Sequence, residues 1–329
     1  MITDIYTHLA PRSFLARMDD MSPALRNITR RLQSVKALYD LDVRFRDMDV
    51  VEDYRQVISL PNPSLEECAS PAVGRELARV ANDELAELCA KHPDRFVGFV
   101  AGISLSDVGT ALEEIDRAIN QLGAVGVQTY TNINGLPLDE PGFAPFFARM
   151  AKHERPIWLH PTRTAAVRDY ESEAKSRYEM WWCFGWPYDT SVAMARLVFS
   201  GLFDRHPDLK IITHHLGGMI PYFDGRVGPG LEVLGSRTTD EDYSGVMSLL
   251  KRPHMDYFRM FYADTAMFGS TTALQCGLDF FGSDHVVFAT DAPLGPIRKT
   301  VDAINHYGLE PKTRAAILSE NARKLLRLS

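Results

Sequence analysis

The chain has 329 residues, of which 45% are hydrophobic and 24% are charged, a composition typical of globular proteins. Its formal net charge of −7 disfavours a nucleic acid or an anionic membrane as a partner. The four cysteines form no CxxC pair, which suits a reducing cytoplasm and excludes a recognisable zinc knuckle. Residues 1–25 lack the apolar core of a signal peptide, and no apolar run reaches the roughly 18 residues of a membrane span. We therefore expect a soluble, cytoplasmic protein.

Short apolar segments alternate with helical periods along most of the chain. Met1–Ile5 predicts a first strand, and residues 10–43, which are mixed in composition, predict an inserted helical segment. Further strands are predicted at Arg55–Leu60, Phe96–Ile103, Ala124–Tyr130, Pro156–His160, Leu209–Thr213, near Phe261 and at Val286–Thr290. The helices between them are predicted at Pro71–His92, Asp107–Leu122, Gly142–His153, Thr190–His206, Gly218–Leu234, Thr271–Cys276 and Ile297–His306, with a last helix at Lys312–Leu328.

This alternation is typical of βα units around a parallel sheet. The eight predicted strands favour an α/β fold in which the sheet closes into a (β/α)8 TIM barrel. We predict that residues 1–329 form one barrel domain, distorted by the insertion after the first strand and extended by a C-terminal helix.

Nine of the ten histidines fall into two groups by their place relative to the strands. His92, His153, His206, His254 and His285 precede strands, several of them in His-Pro or similar turns at helix ends, and we predict structural roles for these five.

The second group follows strands. His8, His160, the pair His214-His215 and Asp291 each come at a strand's C-terminal end. In a barrel these ends meet at one face, where the chemistry takes place. Imidazoles and one carboxylate at that face suit a mononuclear divalent metal site, with zinc or manganese as the ion. Periodicity does not decide which of His214 and His215 faces inward, and one of them could instead cap the turn that follows.

An aromatic run follows the fifth predicted strand. The tryptophans of the chain are Trp158, within that strand, and Trp181, Trp182 and Trp186 in the segment after it. This segment could form a wall for a planar substrate, or a hydrophobic lid or oligomer contact. Two arginines of the same segment, Arg163 and Arg168, could pair with a substrate carboxylate or could be solvated.

These motifs resemble the amidohydrolase superfamily, in particular the amidohydrolase 2 branch. That branch includes aminocarboxymuconate-semialdehyde, γ-resorcylate and 5-carboxyvanillate decarboxylases. The resemblance covers nearly the whole chain and is carried by Asp4–His8, Trp158–Pro161, Leu202–Gly230, Tyr262–Thr265, Val287–Pro293 and Glu320-Asn321-Ala322.

The resemblance implies a role for individual residues. His8, His160 and Asp291 match metal ligands, and His215 matches the histidine that acts as acid or base beside the metal. Asp264 matches a supporting carboxylate, and Arg226 an arginine near the substrate carboxylate, sometimes across a dimer interface. The implied cofactor is one divalent ion, for which we expect Zn²⁺ with Mn²⁺ as the alternative, and the implied assembly is a homodimer or homotetramer.

One residue departs from the family pattern. The usual opening motif carries His or Glu two residues before its histidine, and this chain carries Tyr6 there. A phenol with an ordinary pKa near 10 is a poor ligand unless the metal drives its ionisation. Tyr6 could be a phenolate ligand, a hydrogen-bond donor to substrate, or a sign of weakened metal binding. Gln128-Thr129-Tyr130 ends the fourth strand without a lysine, so we expect at most one metal ion.

The sequence thus favours a metal-dependent, non-oxidative decarboxylase of an aromatic or unsaturated carboxylic acid. His215 and Asp291 would transfer protons, and the expected substrate contacts are Tyr6, Arg163, Trp181, Trp182 and Arg226. One alternative is a metal-dependent hydrolase of a lactone, ester or amide, because the same groups could activate a metal-bound water. A second alternative is a barrel that has lost its metal and only binds a ligand.

Overall fold

The computed structural model describes residues 1–21, 30 and 32–328 of the chain. Eight parallel strands lie in the order β1 to β8 along one sheet, which confirms the predicted barrel. Their bounds are β1 Ile2–His8, β2 Tyr54–Ser59, β3 Phe96–Ala101, β4 Gly126–Tyr130, β5 Ile157–His160, β6 Ile211–Thr213, β7 Tyr262–Asp264 and β8 Val286–Val287.

The sheet closes because β1 bonds to the segment that continues β8. The Ile5 amide donates to the Phe288 carbonyl (3.0 Å), and the Asp291 amide donates to the Tyr6 carbonyl (3.2 Å). These bonds bring the end of β1, where His8 lies, next to Asp291.

The helices surround this barrel. The longer ones are Arg12–Met21, Leu41–Met48, Pro71–Lys91, Val108–Asn120, Ala144–His153, Gly185–Phe199, Asp224–Glu232, Thr271–Phe281 and Ile297–His306. Shorter helices are Leu65–Cys68, Met180–Cys183, Leu202–Arg205, His254–Phe258, Pro311–Ala315 and Asn321–Leu326, with a π-helical turn at Ala316–Glu320. A two-stranded hairpin, Asn132–Ile133 and Leu136–Pro137, follows β4.

The predicted insertion lies between β1 and β2. Its described part contains the helices Arg12–Met21 and Leu41–Met48, whereas residues 22–29 and 31 lie outside the described residues. Arg44 of the second helix is buried, and its guanidinium donates to the His8 carbonyl at 2.6 Å. The insertion therefore packs directly against the strand end that carries His8.

Apolar side chains fill the lower part of the barrel. Ile5, Val57, Val100, Trp158, Ile212 and Val287 form one buried cluster with Ala322, Leu325 and Leu326 of the C-terminal helix. The predicted last helix thus closes the N-terminal end of the barrel, and the polar residues of the strands collect at the opposite end.

Several element boundaries differ from the predicted ones. The helix predicted over Thr190–His206 is interrupted at Gly201, whose φ of 72° is left-handed and ends the first helix. The strand predicted over Val286–Thr290 pairs with β7 only at Val286 and Val287. Beyond that point the Thr290 amide bonds to the Asp4 carboxylate, so the segment turns toward β1.

Among the helices of the described residues, none combines the length and the apolar character that a bilayer crossing requires.

Candidate metal centre

Three histidines and one aspartate meet at the C-terminal mouth of the barrel. His8, His160 and His214 come from the ends of β1, β5 and β6, and Asp291 follows β8. The His160 ring centroid lies 5.8 Å from that of His8 and 4.9 Å from that of His214. The four side chains are between 1% and 6% exposed, so the structure brings together the strand-end residues that the sequence singled out.

His8 presents one ring nitrogen to the mouth. Its Nδ1 lies 3.1 Å from the Leu60 carbonyl. Because a carbonyl only accepts, Nδ1 carries a proton, and Nε2 faces Oδ1 of Asp291 at 2.8 Å. That short distance requires either a second proton on His8 or a cation that both atoms bind. Two donor atoms that share one ion at about 2.1 Å lie about 3 Å apart, so this pair fits a metal site.

His160 is arranged in the same way. Its Nδ1 donates to the Pro161 carbonyl at 2.6 Å, which leaves Nε2 with a lone pair. Burial, together with the neighbouring His214 and His8, lowers the pKa of His160 well below its ordinary value, so the imidazole is neutral. A neutral imidazole is the form that binds metal ions.

His214 is supported from behind by Asp264. Its Nδ1 donates to the Asp264 carboxylate, and its Nε2 lies 3.8 Å from Oδ1 of Asp291. Burial opposes the charge on this ring, but Asp264 and Asp291 outweigh it and raise the pKa of His214 to about 9. The same Asp264 carboxylate accepts from the His215 amide at 3.0 Å, so it orders both histidines of the pair.

His215 lies in a sharp turn. Its φ of 53° and that of Leu216, 51°, are left-handed, and Asp291 has a φ of 66°. Such conformations cost free energy in residues other than glycine and are concentrated at functional sites. Burial and the neighbouring His214 lower the pKa of His215 to about 3. Among the described residues no hydrogen-bond partner faces Nδ1 of His215 or Nε2 of His214.

Asp291 is held as a carboxylate. Burial alone would raise its pKa, but His214 and His8 stabilise the charge and hold the pKa well below its usual range.

Two overlapping sets of donor atoms therefore share Asp291. The sequence predicted His8, His160 and Asp291 as ligands. Among the described residues, the set whose ligand atoms all lie within 4.8 Å of one another is instead His214, His215 and Asp291. Imidazole nitrogens, several without a proton, and one ionised carboxylate are donors that suit a divalent metal ion.

Tyr6 lies beneath the histidines. Its ring centroid is 4.8 Å from that of His8 and 4.5 Å from that of His214, with edge-to-face geometry at both. Its hydroxyl donates to Oε1 of Gln128 at 2.8 Å. Burial, with Tyr130, Asp291 and Asp264 nearby, raises the pKa of Tyr6 well above 10.

The aromatic run contributes the Trp186 indole to the mouth. The Trp186 centroid lies 5.4 Å from that of His160, and the ring stacks on His215 at 6.5 Å. Trp181 and Trp182 lie 5.7 and 6.3 Å from Trp186, so they border the ring that contacts the histidines. Trp186 did not stand out in the sequence from its neighbours in the run, because an aromatic segment without regular periodicity does not reveal which ring points inward.

The two arginines expected at the substrate lie in different surroundings. Arg163 pairs with Asp189 at 3.1 Å, and its backbone carbonyl accepts from the Trp186 indole at 3.3 Å. Arg226 lines a groove of about 760 Å³ beside Tyr188 and Phe223, and none of the mouth histidines described above lines that groove. Arg163 is thus linked to the mouth histidines through Trp186, which contacts His160 and His215.

Known proteins resemble this chain over most of its length, both in sequence and in structure. A family model described as Amidohydrolase matches residues 40–328. Gamma-resorcylate decarboxylase of Rhizobium sp. strain MTP-10005 is 32% identical over 306 residues, which cover 87% of this chain and 87% of that protein. The crystal structure of 2,6-dihydroxybenzoate decarboxylase from Rhizobium superposes with a TM-score of 0.81 at 30% identity, covering 99% of this chain and 98% of that one. Dihydroxybenzoic acid decarboxylase from Polaromonas sp. JS666, with bound manganese and the inhibitor 2-nitroresorcinol, has a TM-score of 0.81 at 28% identity, covering 99% and 96%.

Proposed function

Because the chain belongs to the Amidohydrolase family, we propose that it is a metal-dependent, non-oxidative decarboxylase of an aromatic carboxylic acid. The family membership confirms the resemblance seen in the sequence. The observation that carries the proposal is the buried donor set at the barrel mouth with the Trp186 indole beside it. A planar acid can stack on such a ring while its carboxylate faces the histidines.

We propose His8, His160 and Asp291 as the protein ligands. Hydrogen bonds from Nδ1 of each of the two histidines to a backbone carbonyl leave Nε2 for the ion, and the His8–Asp291 distance of 2.8 Å suits neighbouring ligands. Manganese in the Polaromonas enzyme supports Mn²⁺ as the ion here, and the Zn²⁺ expected from sequence has no such support. When bound, the ion stabilises negative charge on the substrate's oxygens.

Proton transfer to the ring carbon requires acid and base groups beside the metal site. Decarboxylation breaks the bond between the ring carbon and the carboxyl group, leaves the electron pair on the ring carbon and releases CO2. A proton must then reach that carbon. We assign its delivery to His215 and Asp291, whose ligand atoms lie within 4.8 Å of that of His214. Because lowered pKa values leave neither residue with a proton to give near neutral pH, the proton comes from His214, whose pKa is about 9. His214, with Nδ1 bonded to Asp264, can hold a further proton at Nε2, 3.8 Å from Asp291.

The proposal is tested by supplying Mn²⁺-loaded protein with 2,6-dihydroxybenzoate and measuring CO2 and the decarboxylated phenol in equal amounts. Loss of activity with a chelator and its return with Mn²⁺ is expected. Ring opening of lactones without CO2 release from any aromatic acid would instead support the hydrolase alternative. Protein that takes up no divalent metal would support the ligand-binding alternative.

The ligand assignment is tested by metal content. We expect His160→Ala to lose bound Mn²⁺, and His215→Ala to keep the ion but lose turnover. His206→Ala, a histidine at a helix end remote from the mouth, serves as the matched control and should keep both. The opposite result would be that His160→Ala keeps one Mn²⁺ per chain and His215→Ala loses the ion. That result would favour His214, His215 and Asp291 as the ligands.

We further propose a homodimer or homotetramer in the cytoplasm. The apolar groove beside Arg226 and the exposed Tyr188 and Tyr222 support a contact between copies of the chain. Light scattering of the purified protein measures the assembly, and a monomer at micromolar concentration would contradict it.

A further inference from the structure

The Tyr6 hydroxyl belongs to a network of hydrogen bonds inside the barrel that is centred on Gln128. Its hydroxyl meets Oε1 of Gln128, and Nε2 of Gln128 meets both the Leu60 carbonyl (3.3 Å) and the Tyr130 hydroxyl (2.7 Å). Gln128 is 4% exposed and Tyr6 is 1% exposed. Since β1 and β4 are not neighbours in the sheet, the bond between Tyr6 and Gln128 crosses the barrel interior.

The direction of these bonds follows from donor and acceptor chemistry. The Leu60 carbonyl can only accept, so the amide nitrogen of Gln128 must face it. The amide oxygen of Gln128 therefore faces Tyr6, and an oxygen without hydrogens can only accept. The Tyr6 hydroxyl must consequently be the donor, and its proton points at Gln128 rather than at the histidines.

The Leu60 carbonyl extends this network to His8. It accepts from Nδ1 of His8 at 3.1 Å as well as from Gln128. One backbone oxygen thus orients the histidine that presents Nε2 to Asp291 and the glutamine that holds Tyr6. The Tyr6 ring in turn packs edge to face against His8 and His214, so it fixes the planes of two imidazoles.

We propose that Tyr6 is a positioning residue that stays out of the metal's coordination sphere because Gln128 holds its hydroxyl. The protein ligands are then His8, His160 and Asp291. The coordination position that a ligating side chain at residue 6 would fill is left to water or substrate. This inference rests on the proposed metal site but not on decarboxylation.

The test counts the water molecules on bound Mn²⁺ in the full-length protein. Longitudinal relaxation of solvent protons reports that number, and inductively coupled plasma mass spectrometry reports metal content. In Tyr6→Phe we expect one Mn²⁺ per chain, a Kd within about threefold of wild type, and unchanged proton relaxation, because the lost oxygen was not a ligand. Tyr130→Phe, which removes the hydroxyl at the other side of Gln128, is the matched control and should behave in the same way.

Two results would overturn the inference. One is a rise in proton relaxation in Tyr6→Phe alone, because water would then have replaced a protein oxygen on the ion. The other is a loss of Mn²⁺ affinity as large as that of His8→Ala. A further check uses protein loaded with Fe³⁺, in which a phenolate ligand produces a charge-transfer band in the visible region. No such band is expected in the wild type, and a band that Tyr6→Phe abolishes would identify Tyr6 as a ligand.

These outcomes separate the inference from the proposed function. If Mn²⁺ binds as described but no aromatic acid releases CO2, the decarboxylase proposal fails and the assignment of Tyr6 stands. If Tyr6→Phe changes the water count while wild-type protein releases CO2, only the assignment of Tyr6 fails. Wild-type protein that binds no Mn²⁺ contradicts both.

Discussion

Nε2 of His8 lies 2.8 Å from Oδ1 of Asp291, although the two residues are 283 positions apart in the chain. The contact joins the first strand of the barrel to the segment after the last, so it forms only when the sheet closes. The two proposed metal ligands are therefore brought together by the same backbone hydrogen bonds that complete the fold.

Replacement of Asp291 by asparagine is expected to lower turnover by about 10³-fold or more, because it removes both an anionic ligand and a group in the proton path. The folded protein should persist, since asparagine keeps the shape of the side chain. Steady-state CO2 release measures the effect, and circular dichroism confirms folding. Asp302→Asn, on the helix Ile297–His306, is the control. Turnover within tenfold of wild type would remove Asp291 from the mechanism.

Replacement of Asp264 by asparagine should lower the pKa of His214 from about 9, because the carboxylate stabilises the imidazolium. A raised pKa means that His214 holds its proton up to that pH. In Asp264→Asn this proton is lost at lower pH, so any activity that needs it should decline at lower pH than in wild type. NMR titration of labelled histidine and the pH dependence of kcat measure the two effects. An unchanged His214 titration would show that Asp264 does not control this ring.

The buried carboxyl of Asp4 is expected to make the protein less stable as the pH rises. Burial raises the pKa of Asp4 from 3.8 to about 7. Between these values the folded state binds more protons than the unfolded state, so the free energy of unfolding falls as the pH increases through this window. The slope approaches about 1.4 kcal/mol per pH unit for one proton.

Urea denaturation between pH 4 and pH 8 measures this dependence. Asp4→Asn should remove the component that Asp4 contributes, because the amide does not titrate in this range. Asp94→Asn, a control at a highly exposed carboxylate, should keep the wild-type slope. Identical slopes in wild type and Asp4→Asn would contradict a raised pKa at this position.

Replacement of Trp186 by leucine should weaken substrate binding more than the same change at Trp182. The Trp186 indole contacts His160 and His215, whereas Trp182 borders Trp186 and is 38% exposed. Loss of an aromatic stacking partner costs about 1 kcal/mol, which corresponds to roughly a fivefold rise in KM. Kinetics with a planar acid test this, and quenching of tryptophan fluorescence on binding should be reduced in Trp186→Leu. Equal effects of both substitutions would argue against direct stacking on Trp186.

Local patterns in the sequence were enough to predict the barrel and to select candidate residues at its strand ends. Alternation of apolar strands with helical periods predicted eight βα units, and position after a strand distinguished His8, His160 and Asp291 from the histidines at helix ends. The barrel could be predicted because strand and helix periods are local properties, and the candidates could be grouped because parallel strands in a barrel share one C-terminal face.

The contacts of the individual side chains could not be predicted in this way. The left-handed turn at His215, the Asp264 carboxylate behind His214 and the hydroxyl of Tyr6 bonded to Gln128 all depend on contacts between distant parts of the chain. The tertiary structure also placed Trp186 against His160 and His215, and Arg226 in a separate groove. A periodic pattern specifies which face of an element is buried, but a hydrogen-bond partner across the barrel exists only after the strands have closed.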